Sequence, residues 1–468
     1  MCESELLHIG IDDTDSLDGR CTTHLTYNIV RHILKNRLGD FIDYPLLIRL
    51  NPNVPWKTRG NGAVCLRLRT HDPRKIVEHV TKYVEKESAI DSGANPGVVI
   101  LASRTVPDMV QEFGRRAMYD ILSLEKAKNI ARKYDSIDHF LYGNGQGLIG
   151  SLAAVGTQLW GDYTFEAIAY RRLENCKTAR RIDPLKVIKC SKETFPNTFN
   201  NYDFTHHRVL IAPHGPDPVF CGVRGETPDI VISALEMMKP EEKLDGYMVF
   251  RSNQGTNMHL LNELEFRDIK PYMSGFSVCR VSKNPNIIHG GHVVFEVKDD
   301  CGNSIAAAVY EPTDLTNIAA RLKIGDLIEI GFGVREVTPK HQEVLNVEYL
   351  SIVQLSRVSR VYNPFCEDCG KRMKSEGKNK GFQCEKCGSR KDTTQRIHVS
   401  QERDLKTGLY IPSPRSHRHL TKPSQRYNLV KSFLMFDSTS KLIRSWVSSI
   451  PLDHTTYEDR FRKAVSKY

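Results

Sequence analysis

The chain has 468 residues, 40% of them hydrophobic and 26% charged, ordinary values for a globular protein of three or four domains. No apolar run approaches the roughly 20 residues that cross a bilayer, and the opening Met1-Cys2-Glu3-Ser4-Glu5 lacks the basic-then-apolar pattern of a leader, so a cytoplasmic protein with no membrane partner is expected. The net charge of +10 is unevenly spread: residues 388–468 carry sixteen Lys/Arg against seven Asp/Glu and residues 366–387 six against four, which leaves residues 1–365 near −1.

In chain order, Leu6–Ile11 reads as a short buried strand that runs directly into Asp12-Asp13-Thr14-Asp15. A loop, Ser16–Cys21, precedes a helix predicted to start at Thr22 or Thr23 with a threonine cap; Leu25, Ile29, Ile33 and Leu34 give it one apolar face. The strand Leu46–Leu50, the loop Asn51–Gly62, the strand Ala63–Leu68, a helix near Pro73–Glu87, the strand Val98–Ala102 and a helical pattern over Ile121–Tyr134 follow, a mixed α/β order. The glycine run Gly143–Gly150 opens a helix of small residues. A second loop, rich in glycine and proline, spans about 206–225. The helix Ile230–Met238 and the strand Tyr247–Phe250 then lead into the polar turn Arg251–Thr256. From about 275 the texture changes to short alternating strands (Phe276–Val281, Gly291–Lys298, Ser304–Tyr310, Leu327–Val334, Val344–Val353), with a helix Leu315–Leu322 between the third and fourth. That order is the order of an OB-fold, with another small barrel as the alternative.

Two of these stretches carry strong chemical signals. Cys366-x-x-Cys369 with Cys384-x-x-Cys387 gives four thiolates in two turns, a set matched to tetrahedral Zn²⁺ that closes the coordination shell and so predicts a structural metal. These four are the tight pairs among twelve cysteines; the other eight are scattered, as in a reducing compartment. Lys371 and Arg372 make the ribbon loop a phosphate contact. The second signal is the acidic strand end. Three carboxylates within four residues repel one another unless a cation lies among them, and Mg²⁺ carrying nucleotide phosphates is the usual such cation. An exposed turn of capping aspartates remains the alternative.

Weaker signals surround them. Gly145-x-Gly147-x-x-Gly150 fits the letter of the dinucleotide fingerprint, but Asp138–Tyr142 makes a poor strand and Glu166 lies closer than the roughly 20 residues expected for the ribose-binding acid. A glycine loop that lets a ligand or backbone approach closely, or a plain connector, are the readings left. The loops His214–Arg224 and Arg251–Thr256 each read as a ligand-binding loop or an ordinary one. The tail Tyr410–Pro423 interleaves cations with prolines, as in an arm lying along a phosphate backbone or in a disordered basic tail.

Taken together, His8–Ser16, Cys21-Thr22-Thr23, Arg59–Ala63, Gly143–Gly150, His214–Val219, Phe250–Thr256, the OB-like block, the Cys₄ pattern and the arm ending near Pro423 resemble the archaeal 2-agmatinylcytidine synthetases over about residues 6–427. The resemblance implies a multidomain α/β and α+β protein. A kinase-like catalytic domain (1–60 and 135–200) would be interleaved with a ferredoxin-like one (61–134 and 201–272), followed by an OB-fold (275–356), a zinc ribbon (360–395) and a basic arm with extension (396–468). It implies an ATP-dependent ligase that joins agmatine to C2 of the cytidine at the first anticodon position of the minor, AUA-reading isoleucine tRNA, by way of a phosphorylated C2 oxygen. By the same resemblance Asp12, Asp13 and Asp15 are catalytic, Thr22 becomes phosphorylated, and ATP, Mg²⁺ and Zn²⁺ are required. ATP or substrate binding falls to Gly145, Gly147, Gly150, His214, Asp217, Arg224, Arg251 and Asn253. RNA binding falls to Lys371, Arg372, Arg415, Arg418 and Lys422. A non-catalytic RNA-binding protein built on a decayed kinase-like body, and a metal nuclease using the same carboxylates, are the competing readings. Residues 428–468 extend past the family core, with Phe433, Phe436, Trp446 and Tyr457 among basic residues, as an added helical RNA contact or a surface element.

Overall fold

The computed structural model describes residues 4–336, 343–392, 395–429 and 447–448. Its α/β body is organised on one long mixed sheet. The strands are β1 (Glu5–Asp12), β2 (Leu46–Arg49), β3 (Gly62–Thr70), β4 (Gly97–Ala102), β5 (Ile137–Leu141), β6 (Thr164–Arg171), β7 (Val219–Gly225) and β8 (Leu244–Ser252). They lie in the order β5-β4-β1-β3-β2-β8-β6-β7, with the two-residue strand Thr198–Phe199 at the far edge. Two antiparallel halves, β5 to β2 and β8 to β7, meet at a short parallel pairing in which Arg251 and Ser252 face Leu46 and Leu47.

The helices are α1 (Thr22–Lys35), α2 (Pro73–Glu87), α3 (Asp108–Arg116), α4 (Leu124–Arg132), α5 (Gly147–Gly156), α6 (Pro184–Thr194) and α7 (Pro228–Met237). Local chemistry starts three of them: Asp72, Asp183 and Thr227 each cap the first turn with a side-chain oxygen, and a proline follows at the first helical position. Helix α5 is buried along nearly its whole length. It lies so close to the sheet that a Cβ on Gly10 or Gly97 would overlap its backbone. The small residues read from the sequence as a helix opening are therefore a packing device.

Two expectations change here. Asp138–Tyr142 was expected to be a poor strand, yet Ile137–Leu141 is a strand whose five residues pair antiparallel with β4. Its neighbour in the sheet, absent from any local reading, supplies the hydrogen bonds that its composition does not promise. Helix α1 begins at Thr22 as expected, but Cys21 is the cap residue and makes no side-chain cap bond; its sulfur lies 3.1 Å from Thr23 Oγ1 instead. The expected division at 60/61, 134/135 and 200/201 assigns alternate strands of the sheet to different domains, so each boundary separates strands that are hydrogen-bonded to one another. The pairing changes from antiparallel to parallel at the β2–β8 junction.

Beyond residue 273 the chain forms a closed barrel of β9 (Ser274–Ile287), β10 (Val293–Lys298), β11 (Ser304–Val309), β12 (Leu327–Arg335) and β13 (Val344–Gln354), with the short helix α8 (Thr316–Ala319) between β11 and β12. The first three strands form a meander, β12 pairs with both β9 and β13, and a parallel β11–β13 pairing closes the ring. Its core, including Val281, Phe295, Ile330, Phe332 and Leu350, is separate from that of the α/β body. A cysteine-centred unit follows, with a small core of Cys366, Met373, Phe382 and Cys384. No helix among the described residues is long and apolar enough to cross a membrane.

Candidate functional site

The C-terminal end of β1 delivers Asp12 and Asp13 to a cavity of about 370 Å³, and α1 delivers Thr22 and Thr23 to the same wall. Asp13 turns through the left-handed region (φ 57°), which swings the chain from the strand into the loop. Thr14, fully buried, donates a hydrogen bond to Thr22 Oγ1 at 3.0 Å. Arg59 braces the loop: it donates to Asp15 Oδ2 at 3.0 Å and to the carbonyls of Arg20 and Ser16 at 2.9 Å.

This acidic end stores electrostatic cost. Burial, together with the neighbouring Asp13 and Asp15 charges, pushes the Asp12 carboxyl up to about 8. Burial pushes Asp15 up to about 6 although Arg59 pulls it back, and burial raises Asp13 as well. Three carboxyls held above their ordinary range at one cavity wall fit a cation, whose charge would restore all three to the ionised state.

The same cavity is lined by a mixed-charge network, of which the sequence reading singled out Arg224 alone. Glu166, 3% exposed in the middle of β6, accepts from Arg224 Nε at 3.1 Å and from the Gln254 amide, with Arg49 Nη2 at 3.9 Å. His419 of the C-terminal arm lies against Arg224 and Gln254 and lines the cavity. Burial, with Arg49 and Arg224 beside the ring, holds its imidazole well below the usual histidine range, so it is neutral. Asp217 pairs with Arg180 through Oδ1, while its Oδ2 is buried with no partner among the described residues. A lone carboxylate inside an otherwise apolar strand, Phe165-Glu166-Ala167-Ile168, was the available signal for Glu166. Nothing local marked Arg49 or His419.

Of the expected ligand-binding residues, Gly150, Asp217 and Arg224 line the cavity with the four expected catalytic residues. Gly145, Gly147, His214, Arg251 and Asn253 do not line it. Gly145 makes a left-handed turn, and Gly147 packs against the backbone of Gly97 and Asp12. His214 faces a second cavity of about 550 Å³ that adjoins the first at Ala212 and Pro213. Arg251 is 3% exposed, paired with Asp43 and stacked over Tyr163. Asn253 clamps the Arg49 backbone, accepting from its N–H at 2.8 Å and donating to its carbonyl at 2.9 Å. These two residues hold the β2–β8 junction together and so shape the cavity from behind.

The expected RNA contacts also divide. Lys371 and Arg372 are exposed on the cysteine unit, and the Arg372 guanidinium lies 4.4 Å from the Tyr362 ring centre and 4.6 Å from that of Phe365. In the arm, by contrast, Arg415 pairs with Asp314, Arg418 with Glu348, and Lys422 with Asp162. Those three cations, expected as RNA contacts, have carboxylate partners in the body and barrel here. In the extension, Phe433, Phe436, Trp446 and Tyr457 lie outside the described residues. Val447 and Ser448 pair antiparallel with Met248 and Tyr247 of β8.

The ligand atoms of Cys366, Cys369, Cys384 and Cys387 all lie within 4.8 Å of one another. Four sulfurs at that spacing on two knuckles fit one tetrahedral zinc.

Comparison with known proteins adds three family matches: a "TiaS TCKD domain" over residues 8–74, a "TiaS FLD domain" over 145–259 and a "TiaS C-terminal zinc ribbon domain" over 363–405. The chain is 41% identical over 434 residues to the 2-agmatinylcytidine synthetase TiaS of Cenarchaeum symbiosum, an enzyme named for the isoleucine-2 tRNA, covering 93% of this chain and 95% of that protein. It is 39% identical over 430 residues to the Methanosarcina mazei synthetase of the same name, covering 89% and 97%. Among solved structures, a TiaS complex with the isoleucine-2 tRNA and ATP superposes with a TM-score of 0.80 at 34% identity, covering 92% of this chain and all of that one. A complex with the same tRNA, AMPCPP and agmatine gives 0.78 at 32% identity with the same coverage.

Proposed function

The chain belongs to the TiaS family of isoleucine-tRNA 2-agmatinylcytidine synthetases, and from that premise we propose that the acidic cavity is where it joins agmatine to the tRNA at the expense of ATP. The enzyme is a ligase of tRNA modification that takes ATP, agmatine and the minor isoleucine tRNA, and its C-terminal zinc ribbon carries the Cys₄ set. The observation that supports the placement is the convergence of Asp12, Asp13, Asp15 and Thr22 on one cavity that the buried carboxylate Glu166 also lines.

The chemistry needs such a wall. The C2 oxygen of cytosine is a poor leaving group; once it bears a phosphoryl group, the amine of agmatine attacks carbon 2, the C2–O bond breaks and phosphate departs. Asp12, Asp13 and Asp15 are the residues to hold Mg²⁺, which when bound neutralises phosphate charge. Thr22, at the first turn of α1 where free N–H groups favour an anion, is the proposed phosphate acceptor within the protein. Asp217, with a buried and unpartnered Oδ2, is the acidic group best placed to receive a cationic substrate. Gly150 and Arg224 line the same chamber, whereas Gly145, Gly147, Arg251 and Asn253 act by shaping it. The closed barrel of 275–356 is proposed to be an OB-fold that, with the exposed Lys371 and Arg372 of the ribbon, receives the tRNA. The kinase-like chemistry is assigned to the half of the sheet that bears β1, and the ferredoxin-like part to the half built on β6, β7 and β8.

The direct test is purified protein with the tRNA, radiolabelled agmatine and ATP. Label should enter the tRNA with the wild-type protein and not with Asp12→Asn. Binding of tRNA without label transfer in the wild type would favour a decayed, RNA-binding protein, and cleavage of the tRNA without ATP would favour a nuclease.

A further inference from the structure

After the ribbon the chain returns to the catalytic body and adds a side chain to the cavity wall. Residues His419 and Leu420 are stitched to the turn after β8, with Gly255 N–H donating to the His419 carbonyl at 2.9 Å and Asn257 N–H to the Leu420 carbonyl at 2.8 Å. Farther on, Arg426 is fully buried and reaches Asp162 at 2.6 Å and Glu226 at 2.5 Å. An arm fixed at residues 419–420 and again at Arg426 presents the His419 ring to the cavity.

His419 Nδ1 lies 3.1 Å from Arg224 Nη2 and 3.0 Å from Gln254 Oε1. Arg224 and Gln254 are the two residues that bond Glu166. On its far side the ring faces Gly60, where a Cβ would lie 2.7 Å from Nε2. The neighbouring Arg418 pairs with Glu348 of the barrel at 3.3 Å and donates to Asn53, next to Val54 of the cavity lining, at 2.7 Å. Barrel, body loop and cavity wall therefore converge on two consecutive arm residues.

We propose that His419 is a positioning residue that holds Arg224 and Gln254 against Glu166, so that the cavity wall around Glu166 is complete only when the C-terminal arm is seated. The proposal rests on the reading of the cavity as the active site. A neutral imidazole suits the task, since a cation beside Arg49 and Arg224 would be repelled, while either neutral tautomer bonds one of the two groups that grip Glu166. A side chain at position 60 would press on this ring and on the Arg49 guanidinium.

The experiment compares His419→Ala, His419→Asn and Asp12→Asn in the full zinc-loaded chain, with thermal melting and tRNA binding measured beside steady-state agmatine transfer. The expected result is a loss of kcat of about tenfold or more in His419→Ala, with KM for tRNA within about twofold of wild type. Recovery to within about threefold is expected in His419→Asn, whose amide keeps a polar atom where Nδ1 stood. Should His419→Ala melt early, His419→Leu against His419→Asn makes the same comparison at similar volume. Equal activity of wild type and His419→Ala, with Asp12→Asn inactive, overturns the proposal and leaves the site reading intact. Equal losses in the asparagine and the apolar variants overturn it too, because they mean that the ring only fills space. Full activity in Asp12→Asn overturns the site reading and the proposal with it.

Discussion

The Asp12 carboxylate occupies the space that a side chain on Gly150 would need: a Cβ built on residue 150 overlaps it. Strand β1 and helix α5 thus meet at the cavity, and the absence of a methyl group on one leaves room for the carboxylate on the other. Gly150→Ala should therefore displace Asp12 and lower kcat by about a hundredfold, since displacements of about 1 Å at a reacting group cost that much. Agmatine transfer by the variant, with circular dichroism to show that α5 persists, checks it. Near-normal turnover would separate Asp12 from the chemistry.

The barrel and the arm share a buried ion network at Glu348, where His259 Nε2 lies at 3.0 Å and Arg418 Nη1 at 3.3 Å. Burial alone would raise this carboxyl, but Arg418 and His259 overcome it and hold Glu348 at about 2. A depressed carboxyl contributes stability that is present above its unfolded value, about 4.3, and is lost as pH falls through about 2. Wild-type protein should lose stability faster than Glu348→Gln between those values. Denaturant melts at pH 5 and pH 2.5 measure the difference, and parallel curves for the two proteins would contradict the assignment.

Arg426 places a guanidinium in the interior against Asp162 and Glu226. Its removal takes that cation from two carboxylates at once, so Arg426→Ala should cost about 3–5 kcal/mol, the range for breaking a buried pair on one side. Urea unfolding gives the number. A loss below about 1 kcal/mol, the value of an exposed pair, would mean that the arm is not seated in solution.

Cys384→Ser should release zinc, because the remaining three thiolates no longer close a tetrahedral shell. Metal analysis and tRNA binding should both fall while ATP binding persists, since the ribbon has its own small core apart from the cavity. Loss of ATP binding in step with tRNA binding would mean that the ribbon supports the catalytic body directly.

Much of the site was legible locally. Asp12-Asp13-Thr14-Asp15 follows a buried strand within a few residues, and the two Cys-x-x-Cys knuckles state their geometry in their spacing. The order of five barrel strands with one helix is likewise a pattern of neighbours. Ile137–Leu141 was missed because an edge strand of mixed polarity is stabilised by its partner's backbone, which no local window contains.

What the sequence determined by itself was therefore the acidic cluster at the end of a buried strand, the Cys₄ set, the barrel order and, through the joint spacing of its motifs, the family. What only the tertiary structure decided was which charges meet. Glu166 gathers Arg49, Arg224 and Gln254 from three other segments, His419 reaches Arg224 and Gln254 across 195 and 165 residues of chain, and Arg415, Arg418 and Lys422 lie on carboxylates. Lys422 and its partner Asp162 are 260 residues apart. A cation in a sequence has no stated partner, and the energy of a charge depends on what is within a few ångströms of it, which chain folding alone supplies.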